Sequence, residues 1–222
     1  MRQIIYVKYN RTRSEKFQLK TAIVRENGAL SVEKTALTEA GAGHMGSFWE
    51  KYQMIREQNP RIRFLEPEFK DGGKTVCFRY LEGETLADAL ADRIHMGQIP
   101  YEELEQVMAL VFPEDFSVDG GHFSIKEQTG GPFTPGQGFT EVFGSVPEGL
   151  EELGRLTEAP NVDGLFENLM ISDGHVYGID YEWVFDMEIP ARFLHYRNLL
   201  YFYRRCEASV SSAQEELFAH FG

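Results

Sequence analysis

The stretch from Asn168 to Asp180 constrains this chain more than any other. Its middle, Leu169 to Ile179 (LMISDGHVYGI), has Asp173-Gly174 at the centre and apolar residues on both sides, which is the chemistry of a β-hairpin. A hairpin returns to where it began, so Asn168 before its first strand and Asp180 after its second end side by side. Asp163, five residues ahead of Asn168, can loop over the same point. Two carboxylates and a carboxamide oxygen at one place suit a hard cation such as Mg²⁺ and leave one carboxylate for proton work.

The rest of the chain organises itself around that point. Alternating apolar stretches at Ile4–Tyr9, Phe17–Val24 and Ala29–Ala36 read as strands, the last two joined by Glu26-Asn27-Gly28. A helix is expected from about Thr38, because Met45, Phe48, Trp49, Tyr52 and Ile55 recur at helical spacing until Asn59-Pro60 stops it. Arg63–Glu68 and Thr75–Leu81 read as two more strands across Asp71-Gly72-Gly73, which completes a unit of five strands and one helix over residues 1–82. From Thr85 the pattern turns helical: Leu86, Leu90 and Ile94, then Tyr101–Val111. Residues 113–149 hold eight Gly and four Pro and read as a long loop, functional or disordered. Helices are expected at Pro147–Thr157, Ala191–Arg205 and Ser212–Phe221.

Charge and composition exclude several classes of function. With 22 Lys+Arg against 35 Asp+Glu the chain carries −13, which argues against a nucleic-acid binder but not against a nucleotide, whose few phosphates need only one or two basic groups and a metal. Twenty-nine aromatics among 222 residues argue against acidic disorder. Cys77 and Cys206 make no CxxC pair, the six histidines have no zinc spacing, and no GxSxG elbow exists. A reduced, cytoplasmic setting without membrane span or signal peptide is expected.

The spacing of Asp163 and Asn168, followed by Asp180, resembles the HRDLxxxN and DFG motifs of the protein-kinase fold. The Asp180-Tyr181-Glu182-Trp183 ending is more similar to choline kinases and aminoglycoside phosphotransferases. The string NVDGLFENLMI…GIDYEWVFDMEIPARFLHYR looks more similar still to the kinase-like domains of bacterial surface-glycan assembly. These are the kinase–methyltransferases that terminate O-antigen chains and domains attached to glycosyltransferases. The resemblance runs from about Tyr6 to Arg205. It implies an α+β, bilobal fold, a small antiparallel-sheet N-lobe (1–82) and a mainly helical C-lobe (83–222), with ATP and Mg²⁺ between them.

On that resemblance Asp163 is the catalytic carboxylate, and Asn168 and Asp180 hold the metal. Lys34 grips the α- and β-phosphates from the third strand, Val32 on the same strand face meets the base, and Glu50 from the following helix is expected to hold Lys34, with Glu39 as competitor. Cys77–Gly83 resembles the hinge, with backbone groups of Arg79 and Leu81 toward the adenine edge. The loop Asn10–Lys16 has no glycine, so Ser14 and Arg13 are expected to cover the phosphates instead. Asn161 stands where many kinases have His. Glu182 is read as an anchor or a second carboxylate behind the metal. The implied acceptor is a hydroxyl of a sugar or glycan, free or lipid-linked, with aromatics of the 113–149 loop (Phe123, Phe133, Phe139) stacking on it. A glycosyltransferase or methyltransferase partner is implied too. Two alternatives stand beside the active phosphotransferase: a nucleotide-binding pseudokinase that regulates a glycosyltransferase, and a scaffold that binds no nucleotide.

Overall fold

Alternation and turn chemistry act first at the N-terminus of the computed structural model, which describes residues 1–126, 133–145 and 155–222. Strands β1 (Arg2–Asn10), β2 (Leu19–Glu26) and β3 (Ala29–Ala36) pair antiparallel. The β2–β3 turn places Asn27 and Gly28 at φ 51° and 89°, the left-handed pair that a two-residue hairpin turn demands. The helix expected in one piece is broken near Ser47 into α1 (Ala42–Gly46) and α2 (Phe48–Gln58). Asn59, restricted by the proline after it, leaves α2 in an extended conformation, and its amide donates to the carbonyls of Leu110 and Val111.

Then come β4 (Ile62–Phe64), β5 (Glu68–Lys70) and β6 (Thr75–Arg79), which give a five-stranded antiparallel sheet in the order β1-β2-β3-β6-β5. The single strand expected at Arg63–Glu68 is two, and its first part leaves this sheet. β4 pairs instead, in parallel, with the later hairpin. After β7 (Glu84–Thr85) come α3 (Leu86–Ala91), whose Thr85 side chain accepts the Asp88 N–H, and α4 (Tyr101–Val111).

The segment read as a loop contains structure of its own, a hairpin β8 (Phe116–Asp119)/β9 (His122–Ile125) and α5 (Gln137–Phe143). Most of the helix expected at Pro147–Thr157 lies outside the described residues. Its end is not helical: Leu156–Thr157 is β10, paired with β13 (Ile189–Pro190). The hairpin β11 (Leu169–Ser172)/β12 (His175–Gly178) forms as expected, Leu169 opposite Gly178, and the chain closes with α6 (Ala191–Cys206) and α7 (Gln214–Phe221).

A four-stranded sheet, β4-β12-β11-β7, joins the early and late parts of the chain. Gly83 lies against it at φ 153°, where a Cβ would sit 2.0 Å from the Ile171 carbonyl oxygen, so only glycine passes there. Ser172 Oγ donates to the Glu82 carbonyl beside it at 2.7 Å. The fold is thus α+β, with an antiparallel sheet first and most helix later.

Two apolar cores flank this junction. One, around Leu104, Met108, Phe116, Phe202 and Leu217, binds α4, β8, α6 and α7 together. The other, around Phe48, Val76 and Phe78, takes in Tyr181 and Val184 from the segment after β12. Tyr181 is fully buried and its hydroxyl donates to the Leu65 carbonyl at 2.6 Å. Asp180, one residue earlier, is thereby pinned beneath the first sheet. Among the described residues no helix is long and apolar enough to cross a membrane.

Candidate functional site

Strand alternation sets one face of the first sheet over a cleft of about 360 Å³. Tyr6 and Lys8 of β1, Thr21 and Ile23 of β2, and Val32 and Lys34 of β3 roof it. Asn168, Met170, Ile179, Asp180 and Glu182 form the floor, and Leu65 and Phe78 to Leu81 the end wall. Val32, Lys34, Arg79, Leu81, Asn168 and Asp180, named from sequence alone, therefore face one cavity.

Lys34 spans the cleft. Its Nζ lies 2.8 Å from Asp180 Oδ1 and 3.1 Å from Glu182 Oε2, both partners 146–148 residues away in the chain. Burial works against its charge, but Asp180 and Glu182 outweigh it and raise its pKa above the ordinary value, so the amine stays a cation. The helix carboxylate expected to hold Lys34 is not used. Glu50 is exposed on α2, the next residue, Lys51, is the buried one, and Glu182 does the pairing. Lys51 Nζ donates to the Glu182 backbone carbonyl at 2.6 Å. Glu39 is occupied elsewhere, with Lys74 at 2.6 Å.

Arg13 closes the other side of Glu182 with an ion pair and stacks over Trp183, 5.1 Å from the ring centre. Burial opposes ionisation of Glu182, yet Lys34 and Arg13 hold it below the usual carboxylate range. Ser14 does not share this role. It is exposed, does not line the cleft, and its carbonyl accepts the Phe17 N–H in a tight turn. Arg13, Asn10 and Lys8 are the residues of that region that reach the cavity.

The loop ahead of β11 is tied down by its backbone. Val162 N–H donates to the Trp183 carbonyl and Gly164 N–H to the Asn161 carbonyl, each at 3.0 Å, and Phe166 N–H to the buried Asn198 side chain at 3.0 Å. Asn168 donates its amide N–H to the Asp163 carbonyl at 2.9 Å, and its own carbonyl accepts the Ile179 N–H at 3.0 Å. With its amide nitrogen so engaged, the Asn168 side chain keeps its Oδ1 as an acceptor beside Asp180. Carboxylate oxygens of Asp163, Asp180 and Glu182 lie within 4.8 Å of one another. With both Glu182 oxygens taken by cations, carboxylate oxygens of Asp163 and Asp180, together with Asn168 Oδ1, are left for a hard cation. Such a donor set fits Mg²⁺.

Asp163 differs from its neighbours. Burial, then Asp180 and Glu182, push its pKa up to about 6, while Arg197 and Lys34 pull the other way. Arg197 lies 3.8 Å from its carboxylate and donates Nε to the Val162 carbonyl at 3.2 Å. A half-buried carboxylate of raised pKa, close to the Asp180 and Glu182 carboxylates, is equipped to accept a proton. His44, Lys51 and Arg197 were not singled out from sequence. Beneath Glu182, burial and then Lys51 lower the His44 pKa to about 4, and burial lowers Lys51 to about 8 despite the attraction of Glu182.

The aromatics expected at the acceptor side are mostly spent on packing. Phe123 stacks on Phe116 within the C-terminal core, and Phe133 is buried against Phe139. Phe193 and Tyr201 of α6 are exposed rings that flank Arg197, at 5.9 and 5.1 Å from its guanidinium. A second cavity of about 460 Å³, on the Asn161–Gly164 side of the loop, is lined by none of Lys34, Asp163, Asn168 or Asp180.

No protein-family model matches the sequence, and no curated protein matches it. Among solved structures, the chain is similar to a macrolide 2'-phosphotransferase from Brachybacterium faecium, at 12% identity and TM-score 0.42 over 95% of this chain and 74% of that one. A thermostable mutant of an aminoglycoside phosphotransferase aligns at 13% and 0.45, over 99% and 78%. Choline kinase from Streptococcus pneumoniae aligns at 16% and 0.43, over 99% and 75%. At such identity, what this site can do is decided by its own side chains.

Proposed function

We propose that the chain is a kinase-like phosphotransferase that moves a phosphoryl group from Mg²⁺-bound ATP to a hydroxyl. The carrying observation is the 2.8 Å pair of Lys34 with Asp180 across the cleft, with Asn168 and Asp163 alongside. The base lies against Val32 and Phe78, between the sheet and the end wall of Arg79 to Leu81. Lys34 binds the inner phosphates, and Lys8, Asn10 and Arg13 take the part that a glycine-rich loop plays elsewhere. Mg²⁺ held by Asp180 and Asn168 would offset the negative charge of the phosphate oxygens. Asp163 aligns the attacking hydroxyl and accepts its proton, and Glu182, locked between Lys34 and Arg13, keeps Lys34 aimed at the ligand. The division at 82/83 puts Lys34 on one side and Asp163, Asn168 and Asp180 on the other, so closure assembles the site and excludes water.

The acceptor we infer is a sugar or glycan hydroxyl of bacterial surface-polysaccharide assembly. The exposed Phe193 and Tyr201 flank Arg197, which itself lies 3.8 Å from Asp163, and they support a ring-shaped acceptor, since a sugar's C–H face packs on aromatic rings. A glycosyltransferase or methyltransferase is the partner that such a substrate suggests. A second reading, a nucleotide-binding regulator without turnover, is favoured by the glycine-free loop over the phosphates. Incubation with labelled Mg·ATP and a panel of sugars separates the two. Transfer or hydrolysis that falls by about 10³ in Asp163→Asn and in Asp180→Asn supports the phosphotransferase. Binding without turnover across the panel supports the regulator, and turnover unchanged in both variants contradicts the proposed site.

A further inference from the structure

Outside the cleft, one hollow gathers three arginines against a single carboxylate. Arg56 of α2, Arg63 of β4 and Arg79 at the end of β6 rim an open hollow of about 600 Å³, with Tyr52, Tyr177, Pro60 and Phe64 as its apolar part. Each guanidinium lies over a ring, Arg56 at 5.6 Å from the centre of Tyr52, Arg63 at 6.0 Å and Arg79 at 5.0 Å from that of Tyr177. Parallel pairing of β4 with β12 sets Arg63 directly beside Tyr177, so the spacing is built into the sheet.

Among the described residues none of the three arginines forms an ion pair, although Glu66 also lies on the rim. In a chain of net charge −13, three unneutralised guanidiniums around one hollow are a concentrated positive field. Contact with an aromatic ring holds a guanidinium in place, and Arg63 Nη1 also donates to the Tyr177 hydroxyl at 3.4 Å; the remaining N–H groups of the three arginines suit hydrogen bonding to an oxyanion. The volume is that of a small-molecule site. Leu65 and Arg79 line both this hollow and the cleft, so the two share a wall, while Arg56, Arg63 and Tyr177 line the hollow and not the cleft.

We propose that this hollow is a binding site for a small oxyanion, a phosphate- or carboxylate-bearing molecule, separate from the cleft. The proposal does not depend on the cleft being a nucleotide site. Its test is calorimetric titration of inorganic pyrophosphate and of citrate, at fixed ionic strength, into the wild type and the Arg56→Gln/Arg63→Gln variant. Both arginines are exposed, so the variant is expected to melt as the wild type does. Submillimolar binding of either probe, weakened tenfold or more in the variant and partly recovered in Arg56→Lys/Arg63→Lys, supports the site. Pyrophosphate alone marks a phosphate ligand, and both probes mark a general oxyanion site. No binding of either probe to the wild type, or equal binding to the variant, overturns the proposal.

Discussion

The floor and the roof of the cleft are built by different rules. On the floor, residues 161–184 are tied at several points to fixed partners: Val162 to Trp183, Asn168 to Asp163, Tyr181 to Leu65 and Glu182 to Lys34. On the roof, β1 is the sheet's free edge and is exposed along almost its whole length, with Ile4, Ile5, Tyr6, Val7 and Tyr9 each at least 41% accessible. Its following loop is held by Arg13 on Glu182, by the Phe17 ring against Trp183 and His44, by Thr38 Oγ1 donating to the Glu15 carbonyl, and by Gln18 donating to the Arg11 and Arg13 carbonyls. The contrast teaches where precision is needed. The carboxylates of Asp163, Asp180 and Glu182 sit on the tied floor, and Lys34 reaches two of them from the buried middle of the roof, whereas the outer strand β1 is covered by the sheet on one side only.

That comparison breaks first at the junction. Gly83→Ala would drive a methyl group into the Ile171 carbonyl, and we expect loss of about 4 kcal/mol or more, or no folded protein, in denaturant unfolding. Near wild-type stability would mean that floor and sheet are not rigidly joined.

The Arg13–Glu182 pair tests floor against roof in a single contact. Glu182→Gln leaves the buried Lys34 with Asp180 alone and is expected to cost about 3 kcal/mol. Arg13→Gln, whose side chain is 29% exposed, is expected to cost less than about 1 kcal/mol. Equal losses would erase the distinction.

A pH titration sharpens it further. His44 is held neutral under the floor, with a pKa near 4 against an ordinary 6.5. A folded-state pKa below the unfolded one means stability that is complete above about pH 6.5 and is lost as pH falls toward 4. The shift corresponds to at most about 3 kcal/mol. His44→Phe keeps the ring contacts with Phe17 and Trp183 and should flatten the stability profile between pH 6.5 and 4. An unchanged slope would assign the acid sensitivity elsewhere. The smallest effect belongs to the roof: Ile5→Ser or Val7→Thr on exposed β1 should alter unfolding by less than about 0.5 kcal/mol.

How much of this was legible in the sequence follows from the range of each interaction. The β11–β12 hairpin and the closeness of Asn168 and Asp180 are local, written in Asp173-Gly174 and alternation. Lys34 and Val32 followed from strand alternation joined to the kinase resemblance. The partner of Lys34 was not legible, because Glu182 lies 148 residues away and no periodicity links it to β3. Glu50 was the reasonable choice by chain distance, but the turn of α2 that buries Lys51 leaves Glu50 outside. Ser14 failed for a similar reason, since a tight turn at Glu15–Phe17 points its neighbour Arg13 inward instead. The β8–β9 hairpin did have a signal, Asp119-Gly120-Gly121 between alternating residues, which the glycine and proline of 113–149 obscured. β4 left the first sheet because its pairing with β12 is a tertiary choice, and a three-residue strand carries no mark of its partner.

Melting of the wild type with and without saturating Mg·ATP tests most directly whether the floor and Lys34 together hold a metal-bound nucleotide. At about 100 times the dissociation constant, binding adds about 2.7 kcal/mol to the folded state, so the melting temperature should rise by several degrees, and Asp180→Asn should lose most of that rise. No rise in the wild type with several millimolar Mg·ATP or Mg·GTP would contradict such binding.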